Sequence, residues 1–182
     1  MKNFRSFKNE VVFTMLSSLQ KTHNYYIVNR TVSGNRIRVL PMSVIYGANA
    51  SGKSNVILAM DILHKMITEG TLDCKELAPY NSTLSFIRDY NWFLPVELEI
   101  VFATLNNIFR YGIEFTDIDK YDVIREYLYI NDDEIFERTN KDNIQMPISS
   151  LVKKGYIEKN EEAFATILLK KLNQSLDEKS LV

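Results

Sequence analysis

The amino-acid sequence predicts an α/β fold of α+β character: a mixed sheet around one long helix, an antiparallel β meander, and a second helix towards the C-terminus. Three observations predict it. A glycine-rich turn from Gly47 to Ser54 separates a short β-prone run from a run of helical period. From Val96 to Arg138, apolar and polar residues alternate in segments joined by Asn- and Asp-rich turns. From Glu161 to Leu176, apolar residues return at helical spacing.

Taken in order, Asn3–Phe7 and Val11–Met15 read as two short strands about a turn at Lys8-Asn9-Glu10, and Tyr25–Val28 as a third. Ser33-Gly34-Asn35 turns the chain into a fourth, Arg36–Leu40, whose alternation puts both arginines on one face. After Pro41, the apolar run Met42-Ser43-Val44-Ile45-Tyr46 reads as a buried strand. A helix of roughly Lys53 to Glu69 follows, with Val56, Ile57, Met60, Leu63 and Ile67 at helical spacing and Gly70 as its stop. Thr71–Phe93 lacks a clear period and reads as a long loop. Strands then resume at Val96–Phe102, Ile108–Phe115, Val123–Ile130 and Glu134–Arg138, turning at Asn106-Asn107 and Asn131-Asp132-Asp133. The tail helix carries Phe164, Ile167, Leu168, Leu172 and Leu176 as its stripe. The expected organisation is one domain over 1–182, with core strands and helix in 1–70, the meander in 94–140 and the tail helix in 160–177.

Composition narrows the class. A chain of 182 residues with 46% hydrophobic and 12% aromatic content can build a packed core. The net charge of −1 gives no overall pull towards nucleic acid or membrane. Charge is nevertheless segregated: residues 1–40 carry Lys2, Arg5, Lys8, Lys21, Arg30, Arg36 and Arg38 against Glu10 alone, whereas Glu114–Glu137 is acidic. A solvated face accounts for both, and a nucleic-acid-facing N-terminal edge is the sharper alternative. The lone cysteine, Cys74, excludes an internal disulfide and reads as an ordinary thiol. No apolar run approaches the length of a membrane span, and the N-terminus lacks a signal-peptide core. A cytoplasmic protein is expected.

The turn at residues 47–54 carries the chemistry. Gly47-Ala48-Asn49-Ala50-Ser51-Gly52-Lys53-Ser54 reads G-x-x-x-x-G-K-S, the phosphate-binding P-loop, a pattern expected by chance in under about 1% of chains this long. Backbone N–H groups must converge on phosphate oxygens, which requires the freedom of Gly47 and Gly52. The positive end of the following helix adds to that field. Lys53 is placed to reach the β- and γ-phosphates, and Ser54 to ligate Mg²⁺. Residues 47–55 are therefore the expected binding site for ATP and Mg²⁺, with Lys53 as the catalytic candidate.

Together, Asn3-Phe4-Arg5-Ser6-Phe7 and the P-loop followed by Asn55 resemble the ABC-type ATPase head of the SMC, RecF and OLD-like group. Still closer in pattern are bacterial ATP-binding proteins of abortive-infection and other phage-defence systems. These resemble the chain at Tyr46–Asn55, at Arg110-Tyr111-Gly112, at Glu126-Tyr127-Leu128-Tyr129 and at Phe136-Glu137-Arg138. The likeness spans about residues 1–140. It implies a P-loop NTPase lobe whose second half carries a signature motif, Walker B acids and a switch histidine, with two heads sandwiching ATP.

The chain departs from that pattern. It shows no Leu-Ser-Gly-Gly signature, and His23 and His64 lie at or before the P-loop helix, not at a switch position. Tyr127–Glu134 imitates a Walker B, but Asn131-Asp132-Asp133 is better turn chemistry. Glu97 and Glu99 share a strand face, and Gln145 is a weak candidate for a Q-loop residue. The expectation is the N-terminal portion of an ATPase, binding nucleotide but not hydrolysing it alone, and self-associating or joining a C-terminal half and an effector. Alternatives are a non-hydrolysing, nucleotide-responsive interaction module or a RecF/SMC-like DNA-repair ATPase. A small-molecule kinase is disfavoured by the lack of a lid arginine cluster. ATP over GTP rests on the resemblance, since no Asn-Lys-x-Asp motif is present.

Overall fold

The computed structural model describes residues 1–18, 24–69, 84, 86, 94–116, 122–139, 145–163, 165–166 and 170. Two sheets and one long helix dominate them. Strands β1 (Val28–Val32) and β2 (Asn35–Val39) form a two-stranded antiparallel ribbon. Helix α1 spans Lys53–Glu69. Strands β3 (Val96–Ala103), β4 (Ile108–Thr116), β5 (Asp122–Ile130) and β6 (Asp133–Thr139) form a four-stranded antiparallel sheet in sequence order, followed by the short helix α2 (Ile148–Lys153).

The meander follows the predicted alternation closely. Val96 and Leu98 on β3, with Tyr111, Ile113 and Phe115 on β4, are buried on one face. Helix α1 lays Ala59, Ile62, Leu63 and Met66 against them, the i, i+3, i+4, i+7 positions of a single stripe. Burial of Ile62, Leu63 and Met66 contributes about 1.5–3 kcal/mol each. This stripe differs from the expected one. Val56 and Leu63 are buried, but Ile57, Met60 and Ile67 face outwards. Helical period alone locates the helix; which face is covered depends on where the sheet lies.

The hairpin turns show why Asn, Ser and Gly occupy them. Val32 pairs with Asn35 and Ile130 with Asp133, leaving two-residue loops. Ser33 and Gly34 sit at φ 49° and 79°, Asn131 and Asp132 at 52° and 67°. Positive φ at both central residues matches the twist of antiparallel strands, and Asn, Asp and Gly tolerate it best.

Four expected strands take other forms or other bounds. Asn3–Phe7 is a tight turn, closed by Phe4 N–H to the Phe7 carbonyl at 2.9 Å and the reverse bond at 2.8 Å. Val11–Met15 forms no strand; Val11 exchanges bonds with Met1 at 2.8 and 3.1 Å, and beyond it Leu16 bridges Val39. The third strand lies later than expected, because Asn24–Tyr26 makes a 3-10 turn before β1 begins. Met42–Tyr46 is irregular and exposed, with Tyr46 89% and Met42 73% exposed. A buried strand needs a neighbour to saturate its backbone, and among the described residues none flanks this run. All strand pairs described are antiparallel.

The long-loop expectation, Thr71–Phe93, lies mostly outside the described residues, as do Cys74 and His23. Within it, Leu84 is buried in the core, and its carbonyl accepts the Arg5 N–H at 2.7 Å. The tail stripe, Phe164, Ile167, Leu168, Leu172 and Leu176, also lies outside them. The Thr166 side-chain hydroxyl does donate to the Glu162 carbonyl at 2.8 Å, one helical turn back along the chain.

Candidate nucleotide-binding site

The loop from Gly47 to Gly52 leaves the exposed run after β2 and delivers the chain into the first turn of α1. Ala50 and Gly52 adopt left-handed φ values of 61° and 93°. Alternation of this kind turns successive N–H groups to one side of the chain, the geometry of an anion nest. The Gly52 carbonyl accepts from Asn55 N–H at 3.0 Å and Val56 N–H at 3.3 Å. The N–H groups of Lys53 and Ser54, as the first residues of the helix, have no carbonyl within it to bind. No acidic residue occupies that first turn. The helix dipole there stays unopposed, which favours an anion.

Lys53 folds back over this loop. Its ammonium donates to the carbonyls of Gly47 and Ala48 at 2.8 and 2.7 Å. A cation held over a helix N-terminus by two neutral carbonyls is poised to exchange them for phosphate oxygens, which bind it more strongly. Gly52 is required where it stands, whereas at Gly47 the exposed Ser51 side chain has room to give way. A Cβ on Gly47 would meet the Ser51 hydroxyl at 3.0 Å, and one on Gly52 would meet Ser6 Oγ at 2.7 Å and the Phe7 ring at 2.8 Å.

These residues fit a nucleotide triphosphate with Mg²⁺. The backbone from Ala48 to Ser54 and the Lys53 ammonium would hold the phosphates, and the exposed Ser54 hydroxyl would reach the metal. The bound Mg²⁺ would neutralise phosphate charge. Asn49, Ala50 and Ser51 stand at the exposed rim of the loop. Asn55 points its side chain elsewhere: its amide donates to Ser6 Oγ at 2.9 Å.

A family model described as "AAA domain, putative AbiEii toxin, Type IV TA system" matches residues 42–158, well over half of the chain. The chain belongs to this AAA-domain family. The match begins just before the P-loop and runs through α1, the meander and α2, so the P-loop NTPase fold extends over these elements, while β1 and β2 precede the matched residues. It relates the chain to abortive-infection systems. AAA-type P-loop domains as a class use ATP and Mg²⁺. No curated protein and no solved structure matches the chain.

The remaining candidates fall into structural roles. Asp132 and Asp133 stand at the β5–β6 turn. Asp132 is largely exposed, 3.8 Å from Arg110, and Asp133 pairs with Lys154 and accepts from the Tyr156 hydroxyl at 3.1 Å. The Lys154 and Tyr156 bonds hold the Asp133 carboxyl below the usual carboxylate range. Glu97 bonds Lys2 at 2.7 Å, and Glu99 accepts from the Tyr127 hydroxyl at 2.6 Å. Gln145 exchanges backbone bonds with Glu137, which makes it an extension of the sheet edge. His64 lies on the exposed face of α1, where its carbonyl accepts from Thr68.

The sequence patterns at residues 110–138 on which the expected resemblance rests also acquire a physical meaning. Tyr111 donates to Glu126 at 2.6 Å, and Arg138 grips the same carboxylate at 2.6 Å, so three strands are tied by one acid. Burial first, then Glu126, pushes the Tyr111 phenol well above its ordinary value and keeps it a donor. Gly112 pairs with both Glu99 and Tyr127, and the Tyr127 ring crosses its bare Cα to reach Glu99. These residues build the sheet. What sequence reasoning missed near the P-loop is the contribution of Ser6 and Phe7, because Asn3–Phe7 reads as a strand and its contacts are 45 or more residues away.

Proposed function

We propose that this chain is an ATP-binding P-loop protein in which Mg-ATP, held by residues 47–54, controls association with a second copy or with a lobe supplying catalytic acids, and through it a phage-defence effector. The observation that carries the reading is the Lys53 ammonium resting on the Gly47 and Ala48 carbonyls above the α1 N-terminus. The apolar run Met42–Tyr46, with Ile57 and Met60 on the outer side of α1, supports the association half. Binding and hydrolysis separate in this reading, because phosphoryl transfer to water needs a group to orient the nucleophile. At the β5–β6 turn, Asp133 is engaged by Lys154 and Tyr156.

The test is Mg-ATP titration of the chain beside Lys53→Ala. Binding that the substitution weakens at least about tenfold is expected, with no steady-state turnover, since charge-assisted bonds contribute about 1.5–3 kcal/mol. Equal binding by both proteins would overturn the P-loop assignment, and turnover abolished by Lys53→Ala would overturn the separation.

A second reading, DNA contact of the RecF or SMC kind, is favoured by one feature. Residues 11–60 contain five Lys or Arg and no acidic residue, although the whole chain is net −1. Such a reading requires DNA affinity that falls steeply with salt.

A further inference from the structure

We propose that Ser6 and Asn55 are positioning residues of the phosphate loop, joined so that the N-terminal turn forms one wall of the nucleotide site. The inference rests on the nucleotide-binding reading above and assigns to the N-terminus a part in it.

The turn is strained and firmly anchored. Arg5 occupies φ 53°, a left-handed conformation that costs a residue with a Cβ about 1–2 kcal/mol. Such strain persists where surrounding contacts over-determine it. Lys2 exchanges backbone bonds with Glu97 on β3 at 2.9 and 3.1 Å. The buried Asn3 amide donates to the carbonyls of Leu94 and Pro95 at 2.6 and 3.2 Å. Phe4 is wholly buried in the core between sheet and helix. With residues 2–4 held against the sheet, the turn can present Ser6 and Phe7 in only one place.

That place is the phosphate loop. Ser6 Oγ accepts from Asn55 Nδ2 at 2.9 Å, and Ser6 and Phe7 fill the space where a Cβ on Gly52 would stand. Gly52 carries the left-handed φ that shapes the loop, and Asn55 lies two residues beyond Lys53 in the first turn of α1. One hydrogen bond therefore ties the strained N-terminal turn to the backbone whose N–H groups would meet the phosphates. Ser6 is exposed, and the bond lies at the surface, so its loss affects global stability little. Its loss does let the loop sample geometries in which the donors diverge, and preorganisation is where binding energy is most sensitive.

The experiment measures Mg-ATP affinity by calorimetry for the full chain, Ser6→Ala, Asn55→Ala, their double variant, Ser6→Thr and Lys53→Ala. The thermal midpoint of each is measured without nucleotide. Each alanine variant is expected to weaken binding about three- to tenfold, and the double variant no more than the worse single one. Ser6→Thr, which keeps the hydroxyl, is expected to bind like the parent, and the midpoints are expected to stay together. Unchanged affinity in the single variants, losses that multiply in the double, or losses that track the midpoint would each overturn the proposal. Should Asn55→Ala not fold, the contrast between Ser6→Ala and Ser6→Thr decides alone. Parent binding lost in Lys53→Ala but untouched in Ser6→Ala would sink the positioning role only. A folded parent that binds no nucleotide would sink both readings.

Discussion

Tyr127 and Gly112 show how one residue pair can govern a sheet. A Cβ at position 112 would lie 2.1 Å from the Tyr127 ring, deep inside van der Waals contact. Gly112→Ala should therefore destabilise the protein by about 1–3 kcal/mol, read as a lower urea midpoint. Adding Tyr127→Ala should recover part of that loss, because the obstructing ring is gone; a double variant no more stable than Gly112→Ala would contradict the steric account. Asn3 presents the opposite case, a buried polar side chain kept by its partners. Asn3→Leu removes the donor to the Leu94 and Pro95 carbonyls and places a branched side chain at φ 49°. A loss of about 1–3 kcal/mol in chemical denaturation is expected. A variant as stable as the parent would mean that the two carbonyls find other donors.

At the scale of elements, the β5–β6 hairpin and the segment after α2 act as one unit. Asn131 amide and carbonyl groups engage Asn107 and the Ile108 N–H at 2.7 and 2.9 Å, and Tyr156 reaches the Ile130 carbonyl at 3.2 Å. Asp133 joins the unit through Lys154 and Tyr156. Its carboxyl is held below the ordinary value, so the folded state binds this proton more weakly than the unfolded chain. The resulting stabilisation is present above about pH 4, the unfolded value, and is lost as pH falls through the lowered folded value. Asp133→Asn should lie below the parent in urea midpoint at pH 7, and the gap should close as pH falls below the lowered folded value. A gap that stays constant with pH would show that the carboxylate charge is not what holds the hairpin to Lys154.

On the scale of the whole molecule, the described surface is uneven. Met42, Val44 and Tyr46 before the P-loop, together with Ile57, Met60 and Ile67 on α1, are exposed apolar groups close to the phosphate loop in sequence. If nucleotide controls association, Mg-ATP should raise the sedimentation-average mass of the chain, and Ile57→Asp with Met60→Asp should cancel that rise while leaving the thermal midpoint unchanged. Both substituted positions lie on the outer side of α1, so the core stripe Ala59, Ile62, Leu63 and Met66 is untouched. A mass that is the same with and without nucleotide would remove association from the functional reading.

The sequence by itself determined what depends on neighbours along the chain. The P-loop pattern, the bounds of α1 and the four meander strands with their Asn-bearing turns were legible, since period and turn chemistry are local properties. The tertiary structure decided what depends on residues far apart. Helical spacing could not say that Ile57 and Met60 face outwards, because the covered face is set by β3 and β4, some forty residues later. An apolar composition could not make Met42–Tyr46 a buried strand, because a strand exists only with a partner to bond. Asn3–Phe7 likewise read as extended, yet its Asn, Phe and Ser are spent on Leu94, the core and Asn55. Contacts across 49 and 91 residues leave no periodic trace, and so the brace on the phosphate loop became visible only once the chain was folded.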